Sequence, residues 1–157
     1  MKQFWYTFIV LIGLFLIGSN TDYYQQNIES RIASIYAEAS SGILNLLQQE
    51  TYVDHTRILG KNYSLVVSKG CDAVLPIALL VIAILSFPYG NRKSKIKGLG
   101  FGILLLIVLN IIRIVSLYYV GMYSKTYFEF FHVEFWQVVF IIITVLYFLI
   151  WVLKKTN

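Results

Sequence analysis

Long apolar runs, separated by polar connections, set the pattern of this chain. Four such runs cover residues 4–19, 73–89, 99–120 and 135–153. Each run is close to the roughly 20 residues that an α-helix needs to cross a bilayer. The pattern therefore predicts an all-α integral membrane protein with four transmembrane helices.

The longest polar segment, residues 20–72, contains two further patterns. In its first half, apolar residues recur at alternating steps of three and four: Ile28, Ile32, Ile35, Ala39, Ile43 and Leu46. This spacing predicts an amphipathic helix that lies on the membrane or caps the helix bundle. In the second half, β-favouring residues flank Gly60-Lys61-Asn62, which predicts a short β-hairpin leading to Cys71.

The composition agrees with a chain whose main solvent is lipid. Of the 157 residues, 58% are hydrophobic and 13% are charged. The apolar runs take up nearly half of the chain, so we expect one compact membrane domain over residues 1–157. The net charge of +5 does not indicate nucleic-acid binding, because the basic residues form no arm or aromatic-interleaved patch.

The distribution of charge predicts the orientation in the membrane. Basic residues without acids occupy both ends and one short connection: Lys2, Arg92, Lys93, Lys95, Lys97, Lys154 and Lys155. All eight acids fall on the other side: Asp22, Glu29, Glu38, Glu50, Asp54, Asp72, Glu129 and Glu134. Because cytoplasmic connections carry the excess of Lys and Arg, we expect both termini inside and residues 20–72 and 121–134 outside. The first run resembles a signal peptide, but its end, LIGSN, lacks a clear cleavage site, which favours an uncleaved anchor.

Cys71 is the first candidate for chemistry in the outer part. It is the only cysteine, so it has no disulfide partner within the chain, and it directly precedes the second apolar run. Amide dipoles at the start of a helix stabilise a thiolate and make a cysteine nucleophilic. The alternative is a small apolar residue at a helix end.

Two further candidates lie near the same side of the membrane. Asn110, Arg113 and Ser116 follow one another by three residues, which predicts one polar stripe facing the bundle interior. His132 lies where the last outer connection meets the fourth run. Arg113 alone is also compatible with a structural ion pair, and His132 alone with an interfacial aromatic belt.

Together these side chains supply what acyl transfer needs. Cys71 would attack a peptide carbonyl, His132 would move protons, and Arg113 would stabilise the oxyanion. A second hypothesis is a non-catalytic membrane assembly or accessory subunit, which would keep Arg113 to pair with an acid on a partner helix and would not need Cys71.

The sequence also resembles a known family, the exosortases and archaeosortases, and most closely the exosortase H type. The resemblance lies in KGCDAVLPIALLVIAILSFP, NIIRIVSLYYVG and FEFFHVEFWQ, and covers about residue 66 to the C-terminus. It implies a cysteine peptidase or transpeptidase of the bacterial cytoplasmic membrane, with Cys71, Arg113 and His132 as catalytic residues. Its substrates would be exported proteins that end in a short motif, a hydrophobic span and a basic tail.

One departure from the family pattern lies beside the cysteine. Family members commonly have a small or amide residue and then glycine there, whereas this chain has Asp72 and Ala73. An ionised Asp72 would raise the thiol pKa, or it would cap the second span. We assign supporting positions to Asn110, Ser116, Asp72 and Glu129, and we expect membrane lipid and protein substrates as partners, with no cofactor, metal or nucleic acid.

Overall fold

The structure is a computed structural model that describes residues 2–68 and 70–156. The side chains of residues 155 and 156 lie outside the described part. Lys155, one of the basic residues used to predict the orientation, is therefore not described beyond its backbone.

Helices make up most of the described residues. In chain order they are α1 (Lys2–Ser19), α2 (Asp22–Tyr24), α3 (Ser30–Leu46), α4 (Val74–Ser86), α5 (Arg92–Tyr123), α6 (Lys125–Glu129) and α7 (Trp136–Thr156). Two π-helical segments connect neighbours, π1 (Gln25–Glu29) between α2 and α3 and π2 (Phe130–Phe135) between α6 and α7. Three strands, β1 (Thr51–Asp54), β2 (Arg57–Gly60) and β3 (Ser64–Val66), lie between α3 and α4. The prediction of a mostly helical membrane protein is confirmed.

Among the described residues, three helical stretches are long and apolar enough to cross a membrane: Lys2–Ser19, Arg92–Tyr123 and Lys125–Lys154. They correspond to the first, third and fourth predicted spans. The second run instead forms α4, which has 13 residues and is about 20 Å long at 1.5 Å per residue. The helix stops because Phe87 is extended before Pro88, as residues preceding proline usually are. The prediction of four spans is therefore not confirmed.

The long helix α5 is the centre of the bundle and packs against α3, α4 and α7. Most of its buried positions follow one another in steps of three or four, which places them on one face. They include Gly98, Gly102, Leu106, Asn110, Arg113 and Leu117. Two of the three polar residues of the predicted stripe, Asn110 and Arg113, are thus buried, and Ser116 is half-buried.

The glycines of GLGFG allow close helix packing at one end of this face. A Cβ on Gly98 would overlap the ring of Trp151, and a Cβ on Gly102 would lie 2.7 Å from Tyr147 Cε1. A Cβ on Gly100 would meet no described atom within 4 Å. Gly98 and Gly102 are therefore packing residues.

We expect Gly98→Ala to lower the free energy of unfolding by about 1–3 kcal/mol, because the added methyl group displaces the buried Trp151 ring. Gly100→Ala is the matched control in the same turn of the helix and should leave stability unchanged or raise it slightly, because alanine favours the helix and meets no neighbour there. Thermal unfolding of both variants in the same detergent measures the two effects. Equal destabilisation would show that the close approach of Gly98 to Trp151 does not determine the loss of stability.

The helix predicted in the outer segment is confirmed as α3, but its isoleucine face is exposed. Ile35 is 66% exposed, and Leu46 is 84% exposed. The opposite face is buried and consists mainly of small or polar residues: Ala33, Tyr36, Ala37, Ser40, Ser41 and Leu44. Small side chains let two helix backbones approach closely, so this face packs against α5.

The predicted hairpin is confirmed as β2 and β3, and a third strand, β1, extends it into an antiparallel sheet of order β1-β2-β3. The predicted turn closes through the Gly60 N–H, which donates to the Tyr63 carbonyl at 2.9 Å. Ile58, Leu65 and Val67 are buried and join the sheet to the core. Immediately after β3 the chain reaches Cys71.

Candidate active site

A tight backbone turn presents Cys71 between β3 and α4. The Cys71 N–H donates to the Ser68 carbonyl at 2.9 Å, and Gly70 has φ +85°. Ala73 has φ +54°, a left-handed conformation that is uncommon for a residue with a Cβ. Such conformations cluster at functional sites. Asp72 is buried, and its Oδ1 accepts from the Val74 N–H at 3.2 Å, so this carboxylate caps the first turn of α4.

The side chain of Cys71 contacts His132, which lies 61 positions later in the chain. The Sγ–Nε2 distance is 2.9 Å, within hydrogen-bonding range. His132 lies on π2, where the wider turn changes the direction of its side chain relative to a regular α-helix. The Phe128 ring stacks on the imidazole, with 5.4 Å between ring centroids. The structure thus places a thiol and an imidazole in the geometry of a nucleophile and its base.

Arg113 joins the two segments that carry this pair. Its Nη1 donates to the Gly70 carbonyl at 2.7 Å, and its Nη2 donates to the His132 carbonyl at 3.2 Å. The guanidinium carbon lies 5.7 Å from the centroid of the Phe140 ring, and the residue is only 6% exposed. No partner within the described residues satisfies its Nε. Arg113 therefore holds the backbones next to Cys71 and at His132 in register.

The supporting residues predicted from the sequence occupy different environments. Asn110 is fully buried and donates from Nδ2 to the Cys71 carbonyl at 2.8 Å. Ser116 donates to the Arg113 carbonyl at 2.7 Å and accepts from Trp136 Nε1 at 3.1 Å. Glu129 is exposed, and the structure does not bring it to the thiol. Asn110 and Ser116 support the site directly, whereas Glu129 does not.

Sequence reasoning missed several neighbours of the site. Phe128 and Trp136 lie four residues before and after His132, and Phe140 follows Trp136 by four. Helical spacing around His132 would have indicated all three. The acceptor role of the Gly70 carbonyl has no comparable sequence signal.

Burial raises the pKa of the Cys71 thiol above its ordinary value of 9.0. The Arg113 guanidinium and a backbone hydrogen bond from Ser68 oppose this increase in the pKa, and Asp72 adds to it. The predicted thiolate at a helix start is thus not favoured in the resting protein. A nucleophilic role for Cys71 would therefore require transfer of its proton to His132 during attack.

The raised pKa predicts how alkylation depends on pH. Since only the thiolate reacts, the rate of Cys71 alkylation by iodoacetamide should rise about tenfold per pH unit and still be rising at pH 9. Stopped reactions analysed by mass spectrometry measure this rate without ambiguity, because the chain has one cysteine. A plateau near neutral pH would instead show a preformed thiolate–imidazolium pair.

A cavity of about 280 Å³ opens onto the thiol and the imidazole. Its lining includes β3 together with Cys71, Ile114, Leu117, Phe128 and His132. The described residues contain no group of three His, Cys, Asp or Glu side chains arranged to hold a metal ion.

The fold and the site define a helical membrane protein in which a buried thiol contacts a half-buried imidazole, and a buried arginine on α5 bonds to the backbone of both segments. The chain belongs to the exosortase family, because the family model described as transmembrane exosortase (Exosortase_EpsH) matches residues 1–149. No curated protein and no solved structure matches the chain. The family resemblance noted in the sequence is confirmed.

Proposed function

We propose that this chain is a membrane cysteine transpeptidase that cleaves exported proteins at a C-terminal sorting signal and transfers them to another acceptor. The observation that carries the proposal is the 2.9 Å contact between Cys71 Sγ and His132 Nε2. Family membership supports the same function. A non-catalytic accessory subunit would have no need for a thiol and an imidazole in contact beside a cavity.

In the first half of the reaction, His132 Nε2 accepts the thiol proton as Cys71 Sγ attacks the scissile carbonyl carbon. The carbonyl π electrons move to oxygen and form a tetrahedral oxyanion. As this intermediate collapses, the C–N bond breaks and His132 returns the proton to the leaving amine. The products are a thioester on Cys71 and the released C-terminal span.

In the second half, an acceptor amine or water attacks the thioester carbonyl. His132 takes a proton from the attacking group and gives it to the departing Cys71 sulfur. The thiol is regenerated, and the acyl group is now bonded to the acceptor or ends as a free acid. No redox partner is needed.

Arg113 is the proposed electrostatic support for the oxyanion. A guanidinium has five N–H donors, and two nitrogens of Arg113 contact the carbonyls of Gly70 and His132. Donors remain, including the buried Nε–H, which has no partner among the described residues. Charge stabilisation in a dry site is stronger than in water.

We further propose that the site faces outward and both termini are cytoplasmic, as the basic connection NRKSKIKG favours. A membrane-impermeant cationic thiosulfonate added to spheroplasts should then modify Cys71 and, in the same sample, stop cleavage of a cysteine-free precursor. The precursor is an exported protein from the same genome that ends in a hydrophobic span and a basic tail.

The control is the same reagent applied before and after permeabilisation of the plasma membrane. If Cys71 is modified only after permeabilisation, the proposed orientation is wrong. Continued cleavage by fully modified protein would overturn the role of Cys71 in the proposed function.

A further inference from the structure

The strand β3 is an edge of the sheet, and its hydrogen-bonding direction alternates along its length. The Tyr63 carbonyl accepts from Gly60, and the Val67 N–H donates to Thr56, both at 2.9 Å. Both groups therefore point toward β2 or the chain next to it. Leu65, midway between them, pairs with Ile58, so its backbone groups also point toward β2.

Residues between these positions must point the other way. In an antiparallel ladder, successive residues direct their N–H and C=O groups to opposite sides. The backbone groups of Ser64 and Val66 therefore point away from β2, and no partner for them occurs in residues 2–68 and 70–156. They form an open row of donors and acceptors.

The opposite edge of the same sheet is closed at the corresponding position. On β1, the outward N–H of Thr51 donates to Asn45 Oδ1 at 2.8 Å, and its carbonyl accepts from Asn45 Nδ2 at 3.0 Å. Proteins commonly cover strand edges in this way, because an open edge recruits another strand. On β1 this cover is given to Thr51, whereas on β3 neither outward residue has such a side-chain partner among the described residues.

The open edge lies in the cavity that contains the reactive pair. Ser64, Val66 and Ser68 line it together with Cys71 and His132. Because Ser68 accepts from the Cys71 N–H, one tight turn separates the end of the strand from the thiol. A peptide laid along the outer edge of β3 would therefore lie in the same cavity as Cys71.

From this continuity we propose that the protein substrate binds as an added β-strand on the outer edge of β3, with the residues on the acyl side of the scissile bond beside Ser64 and Val66. The proposal rests on the proposed function, which supplies the scissile bond. Strand addition provides affinity through main-chain hydrogen bonds, and cavity side chains provide specificity.

The direction of the bound strand follows from the proposed orientation. Along the chain, β3 is followed by Cys71 and then by the apolar helix α4. A substrate with its folded part outside and its span in the bilayer runs the same way. The added strand is therefore parallel to β3, and every second residue of it bonds to the edge.

The probe for this proposal is acetyl-tetraalanyl chloromethyl ketone, applied to the full-length protein in detergent. The Cys71 sulfur displaces chloride, a C–S bond forms, and the thiol proton passes through His132 to solvent. Iodoacetamide, which has no peptide backbone, reports the intrinsic reactivity of the same thiol. The ratio of the two alkylation rates therefore measures recognition of the extended backbone.

Val66→Pro removes one outward N–H without removing a bond to β2, and edge strands tolerate proline at such positions. We expect the peptide reagent to react about three- to tenfold more slowly with this variant, with the iodoacetamide rate unchanged. Val53→Pro is the matched control. The Val53 N–H on β1 also points away from β2, but Val53 does not line the cavity. Equal effects of the two prolines on the rate ratio would overturn the proposal.

A second measurement uses the unaltered protein, so it does not depend on the folding of a variant. Methylating the amides of the peptide reagent one at a time should slow alkylation at every second residue, by a similar factor. Strand addition would also be overturned if methylation of every amide changed the alkylation rate equally. It would be overturned as well if the peptide reagent alkylated Cys71 no faster than a capped single-residue reagent.

These outcomes separate the two proposals. If the alternating response is found but Cys71→Ala still processes the precursor, strand binding stands and the proposed catalysis fails. If processing depends on Cys71 but the response is flat, catalysis stands and strand addition fails.

Discussion

Cys71→Ala is expected to leave the exported precursor uncleaved, with its C-terminal span attached, and to give no detectable product. Alanine supplies no nucleophile. The hydroxyl of Cys71→Ser is much less acidic than a thiol and is therefore a poor replacement for it in this site. Immunoblotting of precursor and product in cells that express each variant measures the effect.

The structure indicates that these variants remain folded. Asn110 donates to the backbone carbonyl of Cys71, and Asp72 caps α4 through the Val74 N–H, so neither bond involves the sulfur. Equal membrane abundance of the variants and the parent protein is the control. Undiminished processing by Cys71→Ala at equal abundance would favour the accessory-subunit hypothesis.

Arg113→Lys is expected to insert normally and to process the precursor at least tens of times more slowly. Removal of one oxyanion donor typically costs about a hundredfold in turnover, and the ammonium restores part of this loss. Lysine carries a charge but lacks the planar fork that contacts the Gly70 and His132 carbonyls together. Turnover is measured by pulse-labelling of the precursor at equal membrane abundance.

The rate of Cys71 alkylation in Arg113→Lys distinguishes two roles of the arginine. If Arg113 acts on the oxyanion, iodoacetamide should still react with Cys71 and processing alone should fall. If Arg113 mainly holds the two segments together, the rate and pH profile of alkylation should change as well. Near-parental turnover would show that Arg113 is not the oxyanion ligand.

Hydropathy predicted three of the helices well because lipid imposes a simple length requirement. It failed to predict the length of α4, where Pro88 and the left-handed Ala73 limit the helix at its two ends. Local backbone geometry sets the length of α4, and the average hydropathy of the run carries no information about that geometry.

Residues 20–72 show a different limit of prediction from sequence. Turn residues indicated the β2–β3 hairpin, because Gly60 and its neighbours favour a tight turn. For α3, periodicity identified the helix but not its packed face. Close approach to α5 selected small residues such as Ala37 and Ser40, which a search for large apolar residues passes over.

At the candidate site, residue type and order along the chain indicated Cys71, Arg113 and His132. Their contacts depend on features that the sequence pattern does not encode. The π-helical segment at His132 and the positive φ of Gly70 aim the imidazole and an acceptor carbonyl at their partners. The 2.9 Å separation of sulfur and nitrogen follows from this local geometry.

Intact-protein mass spectrometry can detect the proposed covalent acyl-enzyme on Cys71. The full-length protein is mixed with purified precursor, quenched in acid and analysed with and without hydroxylamine. We expect an adduct on Cys71 with the mass of the precursor's acyl part, released by hydroxylamine as a hydroxamate and absent from Cys71→Ala. Processing that proceeds with no such adduct, or an adduct that persists in Cys71→Ala, would rule out an acyl-enzyme on Cys71.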